Sequence, residues 1–372
     1  MRDALEIGLG KSAQRGHHLR DVAIVPSRRT RDVDDVSTSW QLDAYPFAIP
    51  CVAHPSDASM SPATVVGLGR LGGLGVLNAE GLWTRYEDPS KPLTELAQLT
   101  EPAGATARLQ EMYAEPIQPD LVGERVRELR EGGVTVAVRV SPQHTLALAP
   151  VILDAGVDVL VIQGTIVSAE HVSTIDEPLN LKEFIADLDL PVIVGGCTNY
   201  QTALHLMRTG AAGVIVGIGA DDSATSDQVL GIRVPMATAI ADAAAARRDY
   251  LDETGGRYVH LIADGEVQTS GDIARALGCG ADAVMLGQPL SRASEAPGGG
   301  AWWHFSASHP KLPRGAFRPA TTTGPLGTLD QLLYGPADRP DGTVNLFGGL
   351  RRAMAKCGYR DLKEFQKVGL II

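Results

Sequence analysis

Eight short apolar runs recur between residues 47 and 286, and segments with helical spacing separate most of them. The runs that we interpret as strands are Phe47–Ala53, Gly73–Leu77, Val134–Val140, Val157–Ile162, Pro191–Gly195, Gly213–Gly217, Val259–Ala263 and Ala283–Leu286. Near-continuous apolar runs are typical of parallel strands that are buried on both faces. Their alternation with helices predicts an α/β protein with one (β/α)8 TIM barrel domain, whose core spans about residues 47–290.

The segment from Val259 to Pro289 predicts where a ligand binds. It reads VHLIADGEVQTSGDIARALGCGADAVMLGQP, which is the pattern of one βαβ unit. Asp264-Gly265 and Gly287-Gln288 follow its two strands, at the carboxyl ends where barrels commonly hold a phosphate. Backbone N–H groups at such glycines can approach an anion closely.

Composition and charge argue against two classes of function. A net charge of −11 speaks against a nucleic-acid-binding surface. No run reaches the ~18 apolar residues of a membrane span. The charged N-terminus lacks the apolar stretch of a signal peptide, so we expect a cytoplasmic protein. The four cysteines are scattered without a CxxC pair, which indicates reduced thiols and no metal site.

Two long regions interrupt the alternation of strands and helices. Glu80–Pro119 contains no obvious domain, and Ser294–Asn345 is rich in Gly, Pro and Thr. Loops of this length are usually functional lids or disordered segments, and the sequence leaves both open for residues 294–345. A C-terminal segment, 346–372, follows. The strand-like Asp21–Val25 precedes the barrel, and we expect it to cover the barrel's lower face.

Several segments carry a resemblance to a known family. They are IADGEVQTSGDIARALGCGADAVMLGQP, Leu19–Pro26, Ile49–Ala58, Arg70–Asn78, Gly210–Gly219 and Gly348–Gly358. In this order they resemble the IMP dehydrogenase/GMP reductase family, and most closely its branch in actinobacteria that lacks CBS domains. The CBS pair of the family is inserted after the second strand, where Glu80–Pro119 is too short to contain it.

The resemblance implies an NAD(P)-linked oxidoreductase that acts on a purine nucleotide such as IMP or GMP, and a homotetramer. In the family, a cysteine thiolate in the loop after strand six attacks purine C2. That cysteine falls on Ala224 here, while Thr225 keeps the neighbouring hydroxyl. The remaining candidates for a catalytic role are Thr225, Arg314 and Cys197. The family's monovalent-cation site falls on Gly217-Ile218-Gly219. The loop after strand six differs from the family's loop in this sequence, which argues against a bound cation.

The resemblance also assigns residues to the nucleotide. Asp264 aligns with the aspartate that holds the ribose hydroxyls, and Ala53, Gly265 and Gly287 belong to the same site. Three further positions of this site depart from the family, with Asp222, Glu266 and Gln288 in place of serine, glycine and serine. Two carboxylates at ~4–6 Å from a phosphate would each repel it by roughly 1 kcal/mol or more.

The positions that the family uses for the nicotinamide cofactor also differ. Gln163 replaces an aspartate after strand four, and Gly196 replaces an asparagine after strand five.

Three functions therefore stay open: an NAD(P)-linked oxidoreductase, a catalytically silent relative that binds a nucleotide or a partner enzyme, and an FMN-binding barrel. His54 is either a ligand group or an ordinary hydrogen-bonded histidine, and Arg314 either an anion clamp or base in a flap or part of a packed loop.

Overall fold

The computed structural model describes residues 4–174, 178–218 and 223–372, and it confirms a single-domain, nearly closed (β/α)8 barrel. The parallel strands, in chain order, are β1 Cys51–Ala53, β2 Val76–Asn78, β3 Ala137–Val140, β4 Val159–Gln163, β5 Val192–Cys197, β6 Gly213–Val216, β7 His260–Ala263 and β8 Ala283–Leu286. Consecutive strands pair from β2 to β8, and β8 pairs with β1. One bridge between Val52 of β1 and Leu74, just before β2, lies at the remaining seam. All eight predicted strands are present, although most are shorter than the apolar runs.

The helices pack outside and above the strands. Those that follow the barrel strands are Pro62–Arg70, Pro119–Glu131, Thr145–Asp154, Leu181–Ala186, Tyr200–Arg208, Met236–Thr254 and Ser270–Gly278. Short or additional helices are Ser90–Ala97, Ala105–Met112, Ser226–Leu230, Gln288–Ser291, Ala320–Thr323, Leu329–Tyr334, Leu346–Lys356 and Leu362–Phe365. Among the described residues, no helix is long and apolar enough to cross a lipid bilayer.

The prediction that Asp21–Val25 covers the lower face is wrong. Ala23–Val25 pairs with the C-terminal strand Gly369–Ile371. This small sheet lies on the outside of the barrel, where the carbonyl of Val22 accepts a hydrogen bond from Arg275 at 2.9 Å. Instead, the hairpin of Trp40–Leu42 and Tyr45–Phe47 lies at the amino ends of the strands. Its Trp40 ring contacts His260 at the start of β7.

The two regions that interrupt the barrel pattern pack against each other. We call residues 80–119 the insertion and residues 294–345 the flap. They share a second apolar core formed by Ala58, Leu82, Leu93, Leu96, Ala105, Leu109, Met112, Ala301, Trp302, Trp303, Ala307 and Phe317. Trp303 stacks on Phe317 in the flap and donates a hydrogen bond at 3.0 Å to the Tyr113 hydroxyl of the insertion. The flap is therefore folded onto the barrel mouth rather than extended from it.

Asp57, just after β1, is buried beneath this second core. One carboxylate oxygen, Oδ2, accepts hydrogen bonds from the Leu82 N–H at 3.0 Å and the Tyr113 hydroxyl at 2.5 Å. The other, Oδ1, is buried with no hydrogen-bond partner in the described part of the chain. Burial outweighs both hydrogen bonds and raises the pKa of Asp57 to about 6.

Asp282, at the amino end of β8, anchors the C-terminal segment. Its carboxylate accepts hydrogen bonds from Arg247 at 2.5 Å, Lys363 at 2.6 Å, the Tyr258 hydroxyl at 2.7 Å and the Leu261 N–H at 2.8 Å. Burial alone would raise its pKa, but the two cations hold the pKa of Asp282 at about 2. The carboxylate is therefore charged and fully compensated in the folded protein.

We expect Asp282→Asn to lower the free energy of unfolding by about 3–5 kcal/mol, because it leaves the buried Arg247 without a counter-charge. Urea denaturation at neutral pH measures this change. Asp338→Asn is the control, because this exposed carboxylate pairs only with its neighbour Arg339 in the described structure, so its loss should leave the free energy of unfolding almost unchanged. Equal losses in the two variants would contradict the assignment.

A second prediction concerns Asp57 and pH. Because folding raises its pKa from 3.8 to about 6, the stability that its protonated form contributes is complete below 3.8 and lost as pH rises through 6. Asp57→Asn removes this titration. The free energy of unfolding of the wild type should therefore fall by roughly 2 kcal/mol relative to the variant between pH 4 and pH 7. Urea denaturation across this range tests it, and a constant difference would contradict it.

Candidate functional site

The carboxyl ends of β7 and β8 bring together the residues predicted to bind a nucleotide. Asp264, Gly265, Glu266, Gly287 and Gln288 all line one small cavity there. Its volume is only about 10 Å³, which is room for about one water molecule. The structure thus brings these residues together, and the space between them is nearly filled by protein.

Trp302 of the flap fills the position beside Gly287. A methyl group on Gly287 would overlap the Trp302 ring, so the absence of a side chain at residue 287 is what admits the indole. The indole N–H donates a hydrogen bond at 2.6 Å to the hydroxyl of Ser223. Two backbone hydrogen bonds with Arg318, at 2.9 and 2.8 Å, fix the Trp302 backbone within the flap. Trp302 therefore packs directly against Gly287, the residue that the sequence predicts to contact a phosphate.

The loop after β6 is joined to the flap by backbone hydrogen bonds. Ala224 forms an antiparallel bridge with Gly315, and the Ala316 N–H donates to the Ser223 carbonyl at 2.7 Å. The N–H of Thr225 donates to the carbonyl of Arg314 at 3.3 Å. Asp222 lies outside the described residues. The two segments that carry the candidate catalytic groups Thr225 and Arg314 thus form one closed layer.

The thiol of Cys197 does not have the properties of a nucleophile. Cys197 ends β5 with 2% of its surface exposed, and burial raises the pKa of its thiol to about 12. Burial also raises the pKa of Cys51, Cys279 and Cys357. Because the thiolate is the reactive form, these cysteines are protonated and unreactive at neutral pH.

Glu266 lines this cavity, and its carboxylate contacts the N-terminal segment. It contacts His18 Nδ1 at 2.5 Å, accepts a hydrogen bond from the Leu19 N–H at 2.9 Å, and lies 4.0 Å from Arg233. Its backbone is left-handed, with φ of 56°, a conformation that glycine adopts more readily. The Glu266 carboxylate is therefore held by hydrogen-bonding groups of the protein's own N-terminal segment.

The two positions predicted for the cofactor are occupied by internal contacts. Gln163 donates a hydrogen bond at 3.1 Å to Asp264, the residue expected to hold the ribose. The N–H of Gly196 donates to the Gly164 carbonyl at 3.1 Å. Ala53, at the end of β1, is fully buried and paired with Leu286 of β8.

His54 is neither an ordinary hydrogen-bonded histidine nor exposed to solvent. Both of its ring nitrogens are buried, and neither has a hydrogen-bond partner among the residues that the structure describes. Its ring stacks on Phe305 with centroids 5.2 Å apart and contacts the rings of His304 at 4.5 Å and Trp302 at 5.4 Å. Burial, and then the nearby His304 and Arg139, lower the pKa of His54, so the ring is neutral.

A second, larger cavity lies where β2, β3 and β4 end, beneath the insertion and the flap. Its volume is about 670 Å³, and Arg85, Arg139, Arg314, His144 and Glu80 line it. We call it the arginine cavity. Of these residues, the sequence singled out only Arg314. Arg139 carried a usable signal, because it is the one charged residue within the apolar run Val134–Val140.

The arginine cavity has an internal ion network. Glu80 contacts Arg139 at 3.4 Å and His144 Nδ1 at 2.8 Å, and it accepts a hydrogen bond from the Ser141 N–H. Burial acts to raise the pKa of Glu80, but Arg139 and His144 lower it to about 2. The Arg139 guanidinium lies 4.3 Å from the centre of the Phe305 ring, a cation–π contact that ties β3 to the flap. Arg314 donates to the Thr165 hydroxyl at 3.3 and 3.2 Å.

Comparison with known proteins shows which family this chain belongs to. The sequence model of the IMP dehydrogenase / GMP reductase domain matches residues 16–315. A Mycobacterium leprae protein described as an uncharacterized oxidoreductase is 61% identical over 373 residues, covering 99% of each chain. The inosine-5'-monophosphate dehydrogenase of Methanocaldococcus jannaschii is 31% identical over 261 residues, which is 64% of this chain and 50% of that protein.

A crystal structure gives the same answer for the fold. An IMP dehydrogenase/GMP reductase-like protein from Corynebacterium glutamicum superimposes with a TM-score of 0.93 at 53% sequence identity, covering 100% of this chain and 98% of that one. Sequence and fold thus agree over nearly the whole chain. This protein is an oxidoreductase-like member of the IMP dehydrogenase/GMP reductase family.

Proposed function

We propose that this chain is a catalytically silent member of its family, which acts as a binding or regulatory protein rather than by the family's thiol chemistry. The observation that carries the proposal is the position of Trp302, which fills the space beside Gly287 and leaves a cavity of about 10 Å³. A purine nucleotide needs a pocket of several hundred Å³. The same obstruction argues against FMN, whose phosphate would use the same position.

The chemistry of the neighbouring groups supports the same proposal. The segment from Gly217 to Pro235 contains no cysteine, and the family's nucleophile aligns with Ala224. Loss of a covalent nucleophile commonly costs orders of magnitude in rate. The hydroxyl of Thr225 does not replace it, because no described histidine or carboxylate is hydrogen-bonded to it to act as a base.

The residues at the cofactor positions do not fit NAD or NADP in the family's manner. The Gln163 amide is committed to Asp264, and Gly196 has no side chain with which to contact a nicotinamide. Of the expected monovalent-cation site, Gly219 lies outside the described residues, and the proposed function needs no cation. The proposed function therefore includes no hydride transfer.

The family membership extends the proposal to cell context. We place the protein in the cytoplasm, in purine nucleotide metabolism, as a homotetramer or another homo-oligomer. Its regulatory partner in this proposal is an active IMP dehydrogenase, whose barrel it resembles. These assignments rest on the family alone.

A second candidate is a purine nucleotide oxidoreductase that works with NAD(P) once the flap opens. It is favoured by the retained arrangement beneath Trp302, where Asp264, Gly265 and Gly287 still line one cavity at the ends of β7 and β8. It requires a route without the thiol.

We expect no turnover above background when the protein is incubated with IMP and NAD, or with GMP and NADPH. Absorbance of the reduced cofactor measures both reactions, with an active IMP dehydrogenase as positive control. Steady NADH production, or NADPH consumption that depends on GMP, would establish the second candidate instead of the first.

Removing the Trp302 side chain should open the nucleotide site. We expect Trp302→Ala to lose about 3–5 kcal/mol of stability and to gain calorimetrically measurable binding of IMP or GMP that the wild type lacks. Trp303→Ala is the matched control, because this neighbouring indole is equally buried but packs on Phe317 instead. Trp302→Leu keeps more of the packing and serves if the alanine variant does not fold. Equal nucleotide binding by the wild type and both variants would contradict the closed site.

A further inference from the structure

We infer that His54 and His304 form an acid-sensitive latch, which holds the flap closed while both imidazoles are neutral and releases it when they are protonated. His54 lies just after β1, and His304 lies in the flap, so the pair joins two parts that separate when the barrel mouth opens. The inference rests on the proposed function and deepens it, because it names what controls the closed site. The family resemblance assigns neither histidine to a ligand or to catalysis.

The two histidines are packed in an aromatic cluster that spans the join between barrel and flap. The centres of their rings are 4.5 Å apart, and both rings contact Phe305, His54 at 5.2 Å and His304 at 4.1 Å. Trp302 packs edge-on against the His54 ring at 5.4 Å. His54 is 2% exposed and His304 is 6% exposed. Opening of the flap therefore brings into water two imidazoles that the closed flap buries.

The hydrogen bonding of the pair requires neutral rings. Both ring nitrogens of His54 are buried, and neither has a hydrogen-bond partner in the part of the chain that the structure describes. His304 Nδ1 accepts a hydrogen bond from the Ser306 N–H at 3.1 Å. An imidazolium donates at both nitrogens and cannot accept. Protonation of His304 would therefore remove its contact with the Ser306 N–H, and protonation of His54 would bury a charge without a partner.

Fixed positive charges also oppose protonation in the closed mouth. The Arg139 guanidinium of β3 lies 4.3 Å from the centre of the Phe305 ring, which contacts both imidazoles. Burial, and then Arg139 and Arg314, lower the pKa of His304 to about 3. Burial, followed by His304 and Arg139, lowers the pKa of His54 as well. The closed mouth thus holds both imidazoles in the neutral form.

The carboxylates on the segments around the pair have other partners. Four of them belong to the described chain, and their contacts are Asp264 with Gln163, Glu266 with His18, Asp57 with Tyr113 and Glu80 with Arg139. None of the four accepts a hydrogen bond from His54. An imidazolium at residue 54 would therefore have no hydrogen-bonded counter-charge from these segments.

The direction of the pH effect follows from where the proton binds. In an open flap the rings meet water, and histidine has its ordinary pKa of 6.5 there, whereas closure lowers the pKa of both rings. The stability of the closed flap is therefore complete above pH 6.5 and is lost as pH falls below it. Between pH 7.5 and pH 6.0 each histidine shifts the equilibrium towards the open flap by about fourfold, and the pair by roughly fifteenfold.

Hydrogen–deuterium exchange of the flap at pH 7.5 and pH 6.0 measures this shift in the full-length protein. Both values lie above the isoelectric point of about 5.3, so the chain keeps a net negative charge. Division by the intrinsic exchange rate at each pH gives protection factors for the amides of Trp302 and Arg318. We expect protection in the wild type to fall on acidification, by roughly fifteenfold more than in a variant that lacks both imidazoles.

The variants remove the proton site and keep the packing. His54→Phe retains a ring against Phe305, and His304→Asn retains an acceptor for the N–H of Ser306. Each single variant should lose about fourfold of the pH dependence, and the double variant all of the part that the latch supplies. Asp57 is present throughout, so its own titration cancels in these differences. His205→Asn removes an exposed histidine from the helix Tyr200–Arg208 and should behave as the wild type.

Circular dichroism confirms that each variant is folded, and His54→Leu replaces His54→Phe if the larger ring does not fit. Equal pH dependence of flap protection in the wild type and the double variant would overturn the inference. A wild type that gains protection on acidification relative to the double variant would overturn it too. These measurements contain no nucleotide or cofactor. Failure of the latch is therefore distinct from failure of the proposed function, which would show as turnover with IMP or GMP.

Discussion

The packing of Trp302 against the backbone of Gly287 is the contact on which the rest of this barrel mouth depends. It is sterically feasible only because residue 287 has no side chain. It is held in place by the hydrogen bond from the indole to Ser223 and by the backbone bridge between Ala224 and Gly315. The second apolar core then secures the flap from above, so that loop, flap and insertion form one layer over the strands.

The protein's own groups satisfy the polar residues that the family resemblance assigns to a nucleotide. Gln163 donates to Asp264, and His18 with the Leu19 N–H holds Glu266. These contacts agree with the closed position of Trp302, because polar groups that are cut off from water need partners. The loss of the thiol and the closure of the pocket therefore support the same account.

The sequence alone was sufficient to predict the barrel strands, since each of them lies in an apolar run that needs burial on both faces. It was also sufficient for the position of Asp264 and Gly287 at one end of the barrel. It could not predict that Glu266 contacts His18, 248 positions away. It could not predict the position of Trp302 either, because no local sequence pattern determines how the 52-residue flap folds back onto the barrel. Arg85 and Arg139 become neighbours of Arg314 only once the insertion and the flap have packed together.

Hydrogen–deuterium exchange of the flap, with and without saturating IMP, tests the central claim most directly. The account predicts slow exchange of the amides of Trp302, Ala316 and Arg318, because each is hydrogen-bonded in the closed layer. It also predicts that IMP leaves these exchange rates unchanged, since the nucleotide position is already filled. Faster exchange of the flap in the presence of IMP would show that the nucleotide displaces Trp302, and would contradict the closed site.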